Sequence, residues 1–338
     1  ILVLLALVVV VENAARLSVP ILVQRGIDKG IPPIIDGGSG HTLMVVVATL
    51  AGYLGLSEAG RMAEAQARMD EDGQAALSVL AAQLRMAGSN PERPNRSPST
   101  RRNPVYPSPF GFAVRGCDGP FTNIATAAFI QDLSCPVGAS SSPDSISVTY
   151  EADRYNTVAP SPAVLPTDCL GYQLDEFTDT VTEVNPPNPD THPVIDYYAA
   201  ENRFYIASGP AGAPSLYCKG SGISSTAGPL VENVEDLQLT YGTVPAEAPV
   251  TSSANIAGYL DASEVTGHPA LLSLADDAVR WQKVASVRVC VVIRSNKPVS
   301  LGEGSASYLK CDGSVETSPP DSRLRRAYTT TVVLRNRR

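Results

Sequence analysis

Apolar residues crowd the first 56 positions of the chain and thin out after them. Residues 1–11 read ILVLLALVVVV, Glu12 and Arg16 interrupt the run, and LSVPILV resumes it. A loop containing GIDKGIPPIIDGGSG follows, and then TLMVVVATLAGYLGL. A bilayer span needs about 20 mostly apolar residues, and these stretches read as membrane-inserting rather than as a pair of buried core helices. From Ser57 the spacing changes. The run SEAGRMAEAQARMDEDGQAALSVLAAQLRMAG is rich in strong helix formers and free of Pro, which predicts one helix over 57–88. Met62, Met69, Ala76, Leu80, Leu84 and Ala87 recur at spacings of mostly three and four and make one narrow apolar stripe. Leu77, Leu80 and Leu84 are expected to face a sheet. Gly88 can close the helix, and Pro91 forbids its continuation.

The six prolines of residues 89–109 predict a coil, in which Arg93, Arg96, Arg101 and Arg102 read as a solvated basic cluster. From about residue 110 the period falls to two. SISVTYEA places Ile146, Val148 and Tyr150 on one face. NRFYIAS, LQLTYGT and TTTVVLR are similar short strands. VASVRVCVVIRS is the clearest, with Val287, Val289, Val291 and Ile293 opposite Arg288, Cys290 and Arg294.

Composition narrows the function. A net charge of −8 disfavours a nucleic-acid-binding body, which needs a basic face. All six cysteines lie between Cys117 and Cys311 without a C-x-x-C pair, and the three histidines are far apart, so a zinc site has few ligands to draw on. Six such cysteines in a loop-rich region fit three disulfides made in an oxidising compartment. The strand bearing Cys290 turns and returns as SYLKCDG, which would set Cys311 on its antiparallel neighbour. Cys117 and Cys135 are separated by one short apolar segment, leaving Cys169 with Cys218. This order is a preference among the 15 connectivities that six cysteines allow. Signatures of nucleotide-binding loops, serine hydrolases, zinc proteases and dinucleotide folds are absent. MDEDGQ (Met69 to Gln74) lacks the twelfth-position ligand of a calcium loop, and its acids read as a solvated helix face. Asp175 and Glu176 have no basic partner nearby in sequence, and His192 and His268 each precede Pro. No catalytic, cofactor-binding or metal-ligating residue is assigned, and a structural or binding role is expected.

Residues 57–338 resemble PilW-type minor pilins of Gram-negative type IV pili. The resemblance rests on AEAQARMDEDGQAALSVLAAQLRMAGSNP, RGCDG, PDSISVTYEADRYNTV, PTDCLG, NRFYIA, SLYCKG, PLVENVEDLQLTYG, WQKVASVRVCVVIRS and LRRAYTTTVVLRNR, in that order. It implies an α+β fold, a long N-terminal helix packed on an antiparallel β-rich head, preceded by hydrophobic membrane segments. It further implies inner-membrane anchoring with a periplasmic head, and a place in the extracellular pilus after assembly. The implied role is to prime pilus assembly near the tip without catalysis or cofactor. The implied partners are other minor pilins, the major pilin and a tip adhesin, with no nucleic acid. Gly40-His41-Thr42-Leu43 echoes the pilin processing site, but Met44 and Val45 stand where that family has its Glu, which argues against prepilin cleavage between Gly40 and His41.

Residues 1–56 are instead similar to the first transmembrane hairpin of an ABC exporter, through PILVQRGIDKGI, a Gly-rich loop and a second apolar stretch. Two crossings would return the chain to its starting side, whereas disulfides need the opposite one. The expected organisation is therefore a membrane segment foreign to the pilin (1–56), a spine helix (57–88), a Pro-rich linker (89–109) and a disulfide-containing head (110–338). The alternatives are a transport protein, which would need more membrane helices and a nucleotide-binding domain than 57–338 offers, and a secreted enzyme with an unrecognised site.

Overall fold

The computed structural model describes residues 18–35, 40–105, 110–137, 142–157, 165–184, 192–209, 212–249, 255–299 and 307–336. The apolar opening run, residues 1–11, lies outside them. Contacts divide the chain into two compact units, Ile1–Gln66 and Ala67–Arg338. One helix, His41–Met86, runs without interruption through both the apolar stretch 42–56 and the amphipathic stretch after it.

In the first unit residues 18–25 are helical, a π-helical turn covers Gly26–Gly30 and a short helix covers Pro32–Ile35. Gly26 is buried beside Val46, where an added Cβ would lie 3.0 Å from Val46 Cγ1. Met44, Val45, Val47, Leu54 and Leu56 are exposed.

The second unit is built on antiparallel sheets. The first contains β1 (Val114–Cys117), β2 (Ser145–Ala152), β3 (Glu176–Thr180), β4 (Val194–Ser208), β5 (Pro214–Gly220) and β6 (Gly228–Glu232), in the order β1-β2-β4-β5-β6 with β3 also on β4. The second contains β7 (Val234–Thr243), β8 (Gly258–Leu260), β9 (Val284–Arg294) and β12 (Arg325–Val333), in the order β12-β9-β7-β8. Among the described residues, β10 (Tyr308–Leu309) and β11 (Val315–Glu316) form a separate two-stranded sheet.

The alternation read from the sequence decides which faces meet. Ile146, Val148, Tyr150 and Phe204 from the first sheet share one buried cluster with Leu237, Leu239, Val289 and Val291 from the second. Met69, Ala76, Leu80, Ala81, Leu84 and Ala87 of the helix complete it, with Leu77 partly buried at its margin. Polar contacts fix the helix in place. Asn202 Nδ2 donates to Gln83 Oε1 at 2.8 Å, and the Gly88 amide donates to Thr149 O at 2.9 Å. Gly88 has φ +73°, and a Cβ there would lie 2.5 Å from Asn336 O, so the helix end requires glycine. The sheets are joined by Asp144, which sits where the short β8 leaves the edge of β7 open. Its amide donates to Leu237 O at 2.7 Å, while its carboxylate accepts from Leu239 N at 2.8 Å and Gly119 N at 3.0 Å.

Three expectations need correction. The acids of MDEDGQ do not simply face solvent: Asp70 accepts from Tyr328 Oη at 2.6 Å and Arg326 Nη1 at 3.1 Å, and Asp72 bonds the Asn233 side chain. They tie the helix to the head, and Gly73, next to Asp72, lets the Tyr328 ring approach; an added Cβ would lie 2.7 Å from it. The basic loop is not merely solvated either. Arg93 pairs with Glu151, and Arg96 Nη1 donates to Asn103 Oδ1 at 2.8 Å. Cys311, finally, is not on a strand next to that of Cys290. The neighbours of β9 are β7 and β12, and Cys311 lies in the turn between β10 and β11.

Candidate functional site

The structure places the six cysteines in three disulfides, Cys117–Cys135, Cys169–Cys218 and Cys290–Cys311, with Cα separations of 5.4, 6.5 and 5.7 Å. Each holds an irregular segment against a sheet. The last joins the β10–β11 hairpin to the face of β9 turned away from the core. The first closes a loop, residues 118–134, that Arg115, Glu201 and Arg203 fasten to the first sheet.

That outer face carries a row of residues in register, Arg115 on β1, Ser147 on β2, Arg203 on β4 and Lys219 on β5. Arg115 Nη1 donates to Ile130 O and Gln131 O, both at 3.0 Å. Arg203 Nη1 donates to Ile124 O at 2.6 Å, and its Nε to Glu201 Oε1 at 2.7 Å. Glu201 also accepts from Ile130 N at 2.8 Å. Arg203 and Glu201 are only 5% and 1% exposed, so loop and charged pair bury one another. Burial raises the Glu201 pKa against the pull of Arg203, and it lowers that of Arg115.

Beside this row lies a cavity of about 350 Å³. Phe110, Phe129 and Phe177 wall it, and Glu201, Arg203, Lys219 and Ser221 line it, with Asp175 exposed at its edge. Phe110 meets Phe129 and Phe177 edge-on, with centroids 5.5 and 6.0 Å apart. Lys219 Nζ donates to Gly220 O and Ser225 O, both at 2.9 Å. Burial, and then the charge of Arg203, lower its pKa. Sequence reasoning found only the Asp175–Glu176 edge of this arrangement. A second cavity, about 440 Å³, lies at the end of the helix among Phe112, Val114, Trp281, Val284 and Leu334. Among the described residues no three His, Cys, Asp or Glu are grouped to hold a metal ion.

The other functional element is the helix itself. Its first part is the single candidate membrane span among the described residues, with mean hydropathy 1.5 and almost none of that stretch buried. Gly40 immediately precedes the helix and His41 begins it, with no acidic residue in the first turn. Leu80 and Leu84 are each 1% exposed.

Residues 203–336 match the family model of the type IV pilus-assembly protein W, PilW. The match runs from the second half of β4 through β12 and includes three of the six cysteines: Cys218, Cys290 and Cys311 fall inside it, and Cys117, Cys135 and Cys169 outside. Among solved structures the chain is similar to a type IV-like pilin from Thermus thermophilus, with 11% identity, a TM-score of 0.34, and coverage of 82% of this chain and 99% of that one. No curated protein matches the chain. The family match supports a pilus-related role.

Proposed function

We propose that this chain is a minor pilin that helps to initiate type IV pilus assembly near the filament tip. The observation that carries the reading is the PilW match over residues 203–336. It is supported by a helix that is apolar and exposed in its first part and packed on antiparallel sheets in its last. On this reading the helix anchors the protein in the inner membrane, the head is periplasmic, and the mature protein enters the extracellular pilus. Its partners are other minor pilins, the major pilin and a tip adhesin, and the head performs no catalysis. The unbroken helix His41–Met86 supports reading residues 41–56 as part of the pilin spine rather than of the foreign segment expected over 1–56.

The test is complementation of a strain lacking its own minor pilin. Residues 41–338 behind a standard pilin leader should restore surface pili. Restoration only when 41–56 is also replaced by a standard pilin N-terminus would return the foreign boundary to residue 56. If neither chain restores pili, the pilin reading falls.

A further inference from the structure

We propose that the cavity on the outer face of the first sheet binds a small carboxylate with an aromatic body, its carboxylate paired with Lys219 and its ring set against Phe129 and Phe177. The argument begins with the imbalance of charge in that face. Three cations, Arg115, Arg203 and Lys219, stand in one cross-strand row, and the buried carboxylate beside them, Glu201, is taken by Arg203. Lys219 satisfies two of its three N–H donors with backbone carbonyls and joins no ion pair among the described residues. An ammonium partly removed from water gains most from an anion; burial and the neighbouring charge of Arg203 lower its pKa against the pull of Asp168 and Glu201. Ser221 accepts from the Glu201 amide at 3.0 Å, which leaves its own hydroxyl proton for the same ligand oxygen.

The walls set the rest of the ligand. A volume of about 350 Å³ lies at the small end of the roughly 300–1,000 Å³ usual for ligand pockets. Phe129 and Phe177 are half-buried and held by Phe110 behind them, so each offers a fixed apolar surface to a planar ring. Asp175, the other acid of the lining, is exposed at the rim, where water screens it, and Asp168, whose charge also reaches Lys219, accepts from the Leu170, Tyr172 and Gly222 amides. Two sources share this chemistry, a free aromatic acid and the C-terminal carboxylate of a chain that ends in an aromatic residue.

The full chain in detergent would be titrated with phenylacetate and with acetyl-Gly-Gly-Phe, each beside its uncharged amide. The resonance of Lys219 would be followed by NMR. Binding of an acid about tenfold or more tighter than its amide, with a rise in the Lys219 pKa, is expected. Lys219→Met should abolish that preference, Lys219→Arg should retain it, and Phe177→Ala should weaken acid and amide alike. Phenylacetate binding assigns the site to free acids, and preference for the peptide acid assigns it to a chain terminus. Equal affinity for acids and amides, or no shift by either acid at about 10 mM, would overturn the proposal.

Discussion

Replacing Leu80 with Ala tests whether the helix is an integral layer of the head. Leu80 is 1% exposed and belongs to a cluster drawn from both sheets. The substitution removes three buried carbons, worth about 2.4 kcal/mol at about 0.8 each. A cavity term adds to this, because sheets facing the site from two directions cannot both close on it. The expected loss is about 3–4 kcal/mol. Urea unfolding in detergent can be followed by the fluorescence of Trp281, the single tryptophan, which is 4% exposed and packs edge-on against Tyr241 at 4.8 Å. The midpoint should fall with the slope unchanged. Two references on the same helix set the scale. Leu77→Ala, partly buried, should cost about 1–2 kcal/mol, and Leu56→Ala, 77% exposed, less than about 0.5. A Leu80 loss below about 0.5 kcal/mol, or one no larger than that of Leu56, would refute the packed-spine argument.

Two further outcomes are expected. Burial, opposed by two backbone amides, pushes the Asp144 carboxyl up to about 7. The folded protein then binds the extra proton between the unfolded value near 4 and about 7, so this contribution is full below pH 4 and is lost as pH rises through 7, by up to about 1.4 kcal/mol per pH unit. Asp144→Asn should flatten that slope in unfolding measured from pH 4 to 8, and an unchanged slope would show that Asp144 titrates normally. Among the disulfides, Cys169–Cys218 closes the longest loop, with a separation of 49 residues against 18 and 21. Replacing that pair with Ala should cost about 4 kcal/mol, against about 3 for either other pair, on the chain-entropy model. Peptide mapping without reduction should recover all three linkages, and crossed pairs would contradict them.

What the sequence made legible was whatever a single periodicity controls. The stripe through Ala76, Leu80 and Leu84 and the alternation of Ile146, Val148 and Tyr150 follow from one apolar surface facing one core. Gly88 could be placed because a helix end has a local conformational need. Contacts made by distant segments left no such mark. Gly73 weakens a helix on propensity alone, and its value depends on the Tyr328 ring brought to it by β12. Arg203 and Glu201 alternate along β4 as solvent-facing residues would. They are buried because the loop after Cys117 folds over them, which no local pattern announces.

That loop links the disulfides to the proposed ligand site. The helix and both inner sheet faces form the shared core, and the loop over the outer face of the first sheet adds Phe121, Ile130 and Leu133 to the buried cluster. As irregular chain it still loses conformational entropy on ordering. The Cys117–Cys135 bond restricts the same segment in the unfolded protein and so reduces that loss. The segment carries Phe129, a wall of the cavity, and the carbonyls of Ile124 and Ile130 that hold Arg203 and Arg115. Reduction should therefore loosen the cavity before it disturbs the core, because Leu80, Phe204 and Val289 owe their burial to packing rather than to this bond. A site assembled in this way becomes competent only in an oxidising compartment, where the head's disulfides form.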